Sequence, residues 1–249
     1  MIKIQGLTHK YILQDGTKVT ALKDINLEIE PGEQVALIGS SGAGKSTLLR
    51  CINRLLEPMS GKVLIEGKDI ICAQKKEIRQ IRRKIGMIFQ QYNLIQRSLA
   101  IDNVLLGRLA YLPFHRKYLY GLAFTSEDYE IALDSLAQVK LRELAFRRVD
   151  NLSGGQQQRV GIARVLAQQP KIILADEPVS NLDPKNKKEI LSLISSLCQK
   201  KGITLLISMH EVELVKKYVN RVIGIKKGCI IFDGSVEELT GSEYEEIYR

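Results

Sequence analysis

The stretch Gln34-Val35-Ala36-Leu37-Ile38-Gly39-Ser40-Ser41-Gly42-Ala43-Gly44-Lys45-Ser46 decides the fold. Gln34–Ile38 is short, mostly apolar and bounded by glycine, as a buried parallel strand is. Gly39 to Ser46 then fits GxxxxGK[ST]. Glycines let the backbone curl so that successive N–H groups converge on phosphate oxygens. The helix that follows, predicted from Lys45 to about Leu56, turns the positive end of its dipole toward the same point. Lys45 can reach the β- and γ-phosphates of a nucleotide, and Ser46 can ligate Mg²⁺.

Downstream, Ile172-Ile173-Leu174-Ala175-Asp176-Glu177 supplies a second half. The apolar residues read as a central strand with Asp176 at its carboxyl end, where α/β sheets bind ligands. Asp176 would hold Mg²⁺ through water, and Glu177 can polarise an attacking water as general base. Between these two segments lies Leu152-Ser153-Gly154-Gly155-Gln156. Ser153 precedes a helix. Its hydroxyl, the glycine N–H groups and the helix dipole can meet a γ-phosphate from outside.

The rest of the chain reads outward from this frame. Ile2–Leu7 and Val19–Ile29 are strands, and the period-two alternation of Ile25, Leu27 and Ile29 suits a half-buried antiparallel pair. Val63–Ile65 and Ile85–Phe89 are further strands, with a basic helix from about Lys75 to Lys84 between them. From Gln90 to about Ser153 strand signals stop. Thr125 with Asp128 forms a capping box opening a helix whose apolar face is Tyr129, Ala132, Leu133, Leu136 and Val139. Strands return at Ile172–Ala175, Thr204–Ser208, Val222–Ile225 and Cys229–Phe232, with a helix at Lys185–Lys200. The class is α/β.

In 249 residues, 45% of them hydrophobic, the chain is expected to form one core with an inserted segment. No apolar run is long enough to cross a bilayer, and Met1–Gly6 does not open a secretory signal. Cys51, Cys72, Cys198 and Cys229 form no CxxC pair, so reduced, mostly buried thiols are expected rather than zinc. The net charge is +9. Solvated helix faces, an anionic membrane surface and nucleic acid all suit that excess, and charge alone does not separate them.

The three motifs in this order resemble the ATP-binding-cassette (ABC) ATPases over essentially the whole chain. Leu152–Gln156 matches the family signature without departure, and Gln157-Gln158-Arg159 continues it. The resemblance implies a P-loop NTPase (RecA-like) core with an N-terminal antiparallel β subdomain and an inserted α-helical subdomain. The expected division is core at about 1–90 and 158–235, helical subdomain at about 91–157 and a short tail at 236–249, too short for an added regulatory domain. It implies ATP and Mg²⁺ as ligands, with Gly39, Ser40, Ser41, Gly42, Ala43, Gly44, Lys45, Ser46 and Thr47 around the phosphates. Ser46, Gln90 and Asp176 would face the metal. Ser153, Gly154, Gly155 and Gln156 would serve the opposite subunit's nucleotide. By order along the chain, Gln90 resembles the glutamine that senses Mg²⁺ and the attacking water, His210 the switch histidine and Tyr11 the aromatic that stacks on adenine. Ser180-Asn181-Leu182-Asp183 matches the loop that meets the partner subunit, with Asn181 where a small residue is more usual.

The order of elements resembles importer ATPases that serve a separate permease. The segment from Gln90 to Ser153 is longer than in the family's plainer members. Its Leu105–Tyr111 and Phe114–Leu122 wording resembles the phosphonate importer subgroup, as do Leu166–Pro170 and Ile247-Tyr248. The implied function is ATP hydrolysis powering uptake of phosphonate or a related phosphorus oxyanion. The implied partners are a second copy, integral membrane permease subunits and, indirectly, a periplasmic or extracellular solute-binding protein, at the cytoplasmic face of the membrane. Residues 110–122 are expected to help grip the permease. Uptake of another small solute, a non-transporting mechanical role and a nucleic-acid-associated ATPase stay open as alternatives. A single cassette without a zinc pair or long coiled coil argues against nucleic acid. A P-loop kinase would need neither Glu177 nor the signature.

Overall fold

A computed structural model describes residues 1–112 and 124–249. Two sheets and a helical segment make up the fold. The first sheet is antiparallel. Its strands β1 (Ile2–Ile12), β2 (Lys18–Ile29), β4 (Ser60–Ile65) and β5 (Lys68–Asp69) lie in the order β2-β1-β4-β5. The second contains β3 (Gln34–Ile38), β6 (Ile85–Ile88), β7 (Ile172–Asp176), β8 (Thr204–Ser208), β9 (Arg221–Lys226) and β10 (Cys229–Ser235), in the order β10-β9-β3-β8-β7-β6. All its neighbours run parallel except β10, which pairs antiparallel with β9 at the edge. The chain is therefore α/β, as the motif order predicts.

The central strands are covered on both faces, which explains their unbroken apolar runs. Ala36, Ile38, Ile173, Ala175, Leu205 and Ile207 face one core. Val35, Leu37, Ile172, Leu174 and Leu206 alternate into the other. Two helices, α1 (Lys45–Ile52) and α2 (Lys75–Arg83), follow β3 and β5. The helical segment holds α3 (Ala100–Leu105), α4 (Ser126–Gln138) and α5 (Gly154–Ala167). Downstream lie α6 (Pro184–Lys201), α7 (Val212–Val215) and α8 (Gly241–Tyr248).

Several boundaries differ from the sequence reading. The first strand continues past Leu7 to Ile12 because β2 supplies partners as far as Tyr11↔Val19 and Ile12↔Lys18. Helix α1 stops at Ile52 instead of reaching Leu56. Arg54 turns to φ 49°, and the Arg82 guanidinium donates to the carbonyls of Asn53 and Arg54 at 3.0 and 2.6 Å. Among the cysteines, Cys51 and Cys198 are buried, whereas Cys72 is exposed and Cys229 half-buried.

The Leu105–Tyr111 wording is only partly a surface feature. Arg108 is buried and pairs with Asp128 at 2.8 Å, and it also donates to the Ala167 carbonyl and Gln169 Oε1, each at 3.1 Å. The guanidiniums of Arg83 and Arg108 lie 3.8 and 4.0 Å from the Tyr111 ring centroid. The expected permease grip at 110–122 falls, beyond Leu112, outside the described residues.

Lys171 and Lys84 both pair with Glu66 and hold its carboxyl at about 2, against an ordinary 4.5. A depressed carboxylate stabilises the fold above its unfolded value and loses that contribution as pH falls through the folded one. Glu66→Gln is expected to flatten the acid limb of stability between about pH 4.5 and 2, measured by denaturant titration at each pH. An unchanged limb would show the pairs to be inert.

Candidate functional site

The carboxyl ends of β3, β7 and β8 meet at one place. The phosphate loop leaves β3 there. Gly39 takes φ 147°, and a Cβ at this position would meet the Ile225 carbonyl oxygen at 2.2 Å, so a side chain is excluded twice over. Lys45 is buried, and its ammonium donates to the carbonyls of Gly39 at 2.8 Å and Ser40 at 3.0 Å. Burial pushes the lysine pKa down, and the nearby Glu177 and Asp176 carboxylates oppose that shift. The loop is thus curled around its own cation. At the other flank Gly228 donates to the Ala43 carbonyl at 2.9 Å and pins the loop to the β9–β10 turn.

Asp176 ends β7 and is 4% exposed. Its Oδ1 accepts from Ser46 Oγ at 2.6 Å and from Ser208 Oγ at 3.0 Å, while Arg50 stands 3.8 Å from Oδ2. Adjacent hydroxyl and carboxylate oxygens are the hard donors that Mg²⁺ takes, so Ser46 and Asp176 fit that ion. Glu177 follows with φ 46°, a left-handed conformation that is costly for a residue with a side chain. Its N–H donates to Ser208 Oγ at 3.0 Å, which helps to hold that turn. Its Oε1 then lies 2.5 Å from His210 Nε2.

The structure thus brings together Gly39–Thr47, Asp176, Glu177 and His210. Tyr11 joins them through its hydroxyl, 3.1 Å from Thr47 Oγ1, with the ring edge-on to His9. Gln90 lies two residues past Ile88, which pairs with Ala175 in the neighbouring strand, and its side chain is exposed. Ser153, Gly154, Gly155 and Gln156 are not brought in. No hydrogen bond or ion pair among the described residues joins them to the phosphate loop. Ser153 instead caps α5. Its hydroxyl accepts from the Gln156 N–H at 3.3 Å, and Gln156 Oε1 accepts the Ser153 N–H at 2.9 Å. Ser153 and Gly154 are exposed, and Asn181 is exposed on the loop before α6.

Three residues at the site were missed from sequence. Ser208 bridges Asp176 and the Glu177 amide, and Gln158 Nε2 donates to the Pro178 carbonyl at 2.6 Å, tying α5 to the turn after Glu177. Tyr248 accepts from the Gly39 N–H at 3.3 Å. A polar residue closing the apolar strand Thr204–Ser208 was a readable signal for the first. Gln158 and Tyr248 were read only as family wording, and nothing local marked their contacts, because their partners are remote in sequence.

A phosphate loop after β3, an acid pair at the end of β7 and a histidine just beyond β8, the strand between them, define a P-loop nucleotide hydrolase. The chain belongs to the ABC transporter family, whose model matches residues 22–180, and it is an ABC ATPase. It is 49% identical to a phosphonates import ATP-binding protein, PhnC 2, of Halalkalibacterium halodurans, with each chain fully covered. A phosphonates import ATP-binding protein of Lactobacillus gasseri is 48% identical over all of this chain and 93% of its own length. Among solved structures, a dimeric ATP-binding cassette in a post-hydrolysis state, bound to ADP and Pi, is 37% identical. It has a TM-score of 0.81 and covers 95% of this chain and 99% of that one. An ABC transporter cassette in an ADP conformation has a TM-score of 0.84 at 27% identity, covering 99% and 97%.

Proposed function

We propose that this chain is the ATP-hydrolysing subunit of an importer for phosphonate or a related phosphorus oxyanion. It would work as a homodimer beneath membrane permease subunits, at the cytoplasmic face. The observation that carries the dimer is that, among the described residues, no hydrogen bond or ion pair joins Ser153–Gln156 to the phosphate loop, and that Ser153 and Gly154 are exposed. The phosphate loop and acid pair sit at the sheet, while Ser153 and Gly154 face solvent on the helical segment. A serine hydroxyl and helix dipole with no phosphate in their own subunit suit a phosphate from another copy. The dimeric relative bound to ADP and Pi supports this arrangement. The solute rests on the full-length likeness to phosphonates import ATP-binding proteins.

In the proposed cycle Lys45 and the loop amides hold the β- and γ-phosphates, Tyr11 faces adenine, and the partner's signature closes over the γ-phosphate. Glu177 takes a proton from the attacking water, and His210 orients that carboxylate and meets the γ-phosphate. Ser46, Asp176 and Gln90 would hold Mg²⁺, which would neutralise charge on the β- and γ-oxygens. Catalysis is positioning plus electrostatic stabilisation.

Gln90 passes closure to the helical segment. A groove of about 640 Å³ between core and helical segment is lined by Arg79, Arg82, Arg83, Phe89, Leu109 and Arg164. Its cationic rim and apolar floor suit an acidic or polar cytoplasmic segment of the permease. The test is co-purification with the native membrane partner, then ATPase measurement in the reconstituted complex. Phosphonate delivered by the binding protein is expected to raise turnover severalfold. Stimulation by an unrelated solute alone would contradict the cargo, and failure to assemble with any permease would contradict the transport role.

A further inference from the structure

We propose that Tyr248 is a positioning residue for ATP turnover: its hydroxyl ties the start of the phosphate loop to the backbone of His210 and so sets how His210 meets Glu177. The proposal rests on the roles proposed above for those two residues. Tyr248 ends α8, and α8 is held firmly against the sheet. Ile247 is buried over Gly224, where a Cβ would come within 2.5 Å of the isoleucine Cδ1. Lys226 donates to the Glu246 carbonyl at 2.6 Å, and the Tyr244 ring stacks on Tyr248 at 4.6 Å. These contacts orient the phenol ring.

From that position a single hydroxyl makes two bonds. Its oxygen accepts the Gly39 N–H at 3.3 Å, and its proton is donated to the His210 carbonyl at 3.3 Å. Burial pushes the phenol up to about 12, so the donor proton is present across neutral pH. On its other side Gly39 lies so close to the Ile225 carbonyl that a Cβ would meet its oxygen at 2.2 Å. His210 lies just beyond β8, and its side chain is 40% exposed. Its backbone needs an anchor if Nε2 is to stay 2.5 Å from Glu177 Oε1. Tyr248 provides one, taken from the loop that binds the phosphates. Small misplacements of such a group cost rate rather than binding.

The full-length protein carrying Tyr248→Phe tests the tie, because phenylalanine keeps the ring and its stack and removes only the hydroxyl. The expected result is a fall in kcat of about tenfold, the scale of one net hydrogen bond, with KM for ATP and the thermal midpoint nearly unchanged. Tyr248→Leu should fall at least as far. In a His210→Ala background, adding Tyr248→Phe should cost less than about twofold more, since one acts through the other. Hydrogen exchange over residues 38–41 should quicken in folded Tyr248→Phe, a readout independent of turnover. Wild-type kcat in Tyr248→Phe, an undiminished further loss in the His210→Ala background, or unchanged exchange would each overturn the proposal. Normal turnover in His210→Ala alone would instead break the underlying assignment of His210, and the tie with it.

Discussion

Glu177→Gln is expected to keep ATP binding, lose turnover by about 10²–10⁴-fold and accumulate as an ATP-bound dimer. The substitution changes almost nothing but the base. Glutamine has the same shape, and its amide oxygen can still accept from His210 Nε2, which now stands 2.5 Å from Glu177 Oε1. The Glu177 N–H bond to Ser208 is a backbone contact and survives. The contacts that curl the phosphate loop belong to Lys45, so nucleotide affinity is held by groups the mutation does not touch. What is lost, on the role proposed for Glu177, is the ability to take a proton from water as it attacks phosphorus. Closure still occurs because ATP bridges the two copies, and it persists because hydrolysis no longer removes the bridge. The measurement is steady-state phosphate release beside sizing with and without ATP. Near-normal turnover would refute the general-base role.

Arg108→Ala should destabilise the protein by about 3–5 kcal/mol. Both members of the Arg108–Asp128 pair are 8% exposed, so truncating the arginine leaves a buried carboxylate with no paired cation among the described residues. Burial opposes ionisation of Asp128, yet the Arg108 guanidinium and the Thr125 amide and hydroxyl outweigh it and hold the carboxyl below its ordinary value. The mutation also frees the Ala167 carbonyl and the Gln169 side chain and removes the Arg108 guanidinium from the Tyr111 ring. A midpoint lowered by roughly 10 °C is the expected readout for a chain of this size. Replacing Arg108 and Asp128 together by apolar residues of similar volume should recover much of the loss, because the cost lies in the orphaned charge. A neutral Arg108→Ala would mean that water reaches the pair.

The acid pair and phosphate loop were legible because their chemistry is local. Glycine spacing, a lysine and two consecutive acids each carry meaning within a few residues, and strand order then brings them together. The helical segment was legible at Thr125–Asp128, where a capping box is a short-range signal. Arg108 was legible only as wording. A basic residue among leucines gives no sign that Asp128, Ala167 and Gln169 converge on it. The Gln158 contact was hidden for the same reason, since its partner, the Pro178 carbonyl, lies beyond β7. Helix α1 ended early through Arg82, 28 residues beyond the Arg54 carbonyl it meets. Periodicity reports faces of elements, whereas such long-range caps exist only once the fold has formed.

In the proposed dimer each ATP lies between Lys45 of one copy and Ser153 of the other. Mixing two inactive variants tests that placement. Lys45→Ala and Ser153→Arg, each verified as folded, are prepared separately and then combined, and ATP hydrolysis is followed as the ratio is varied. A mixed dimer has one site made of an intact Lys45 and an intact Ser153, so activity absent from either variant should appear on mixing and peak near equal amounts. No recovery in mixtures that form the mixed dimer would contradict the account, and the nucleotide would then be served within a single chain.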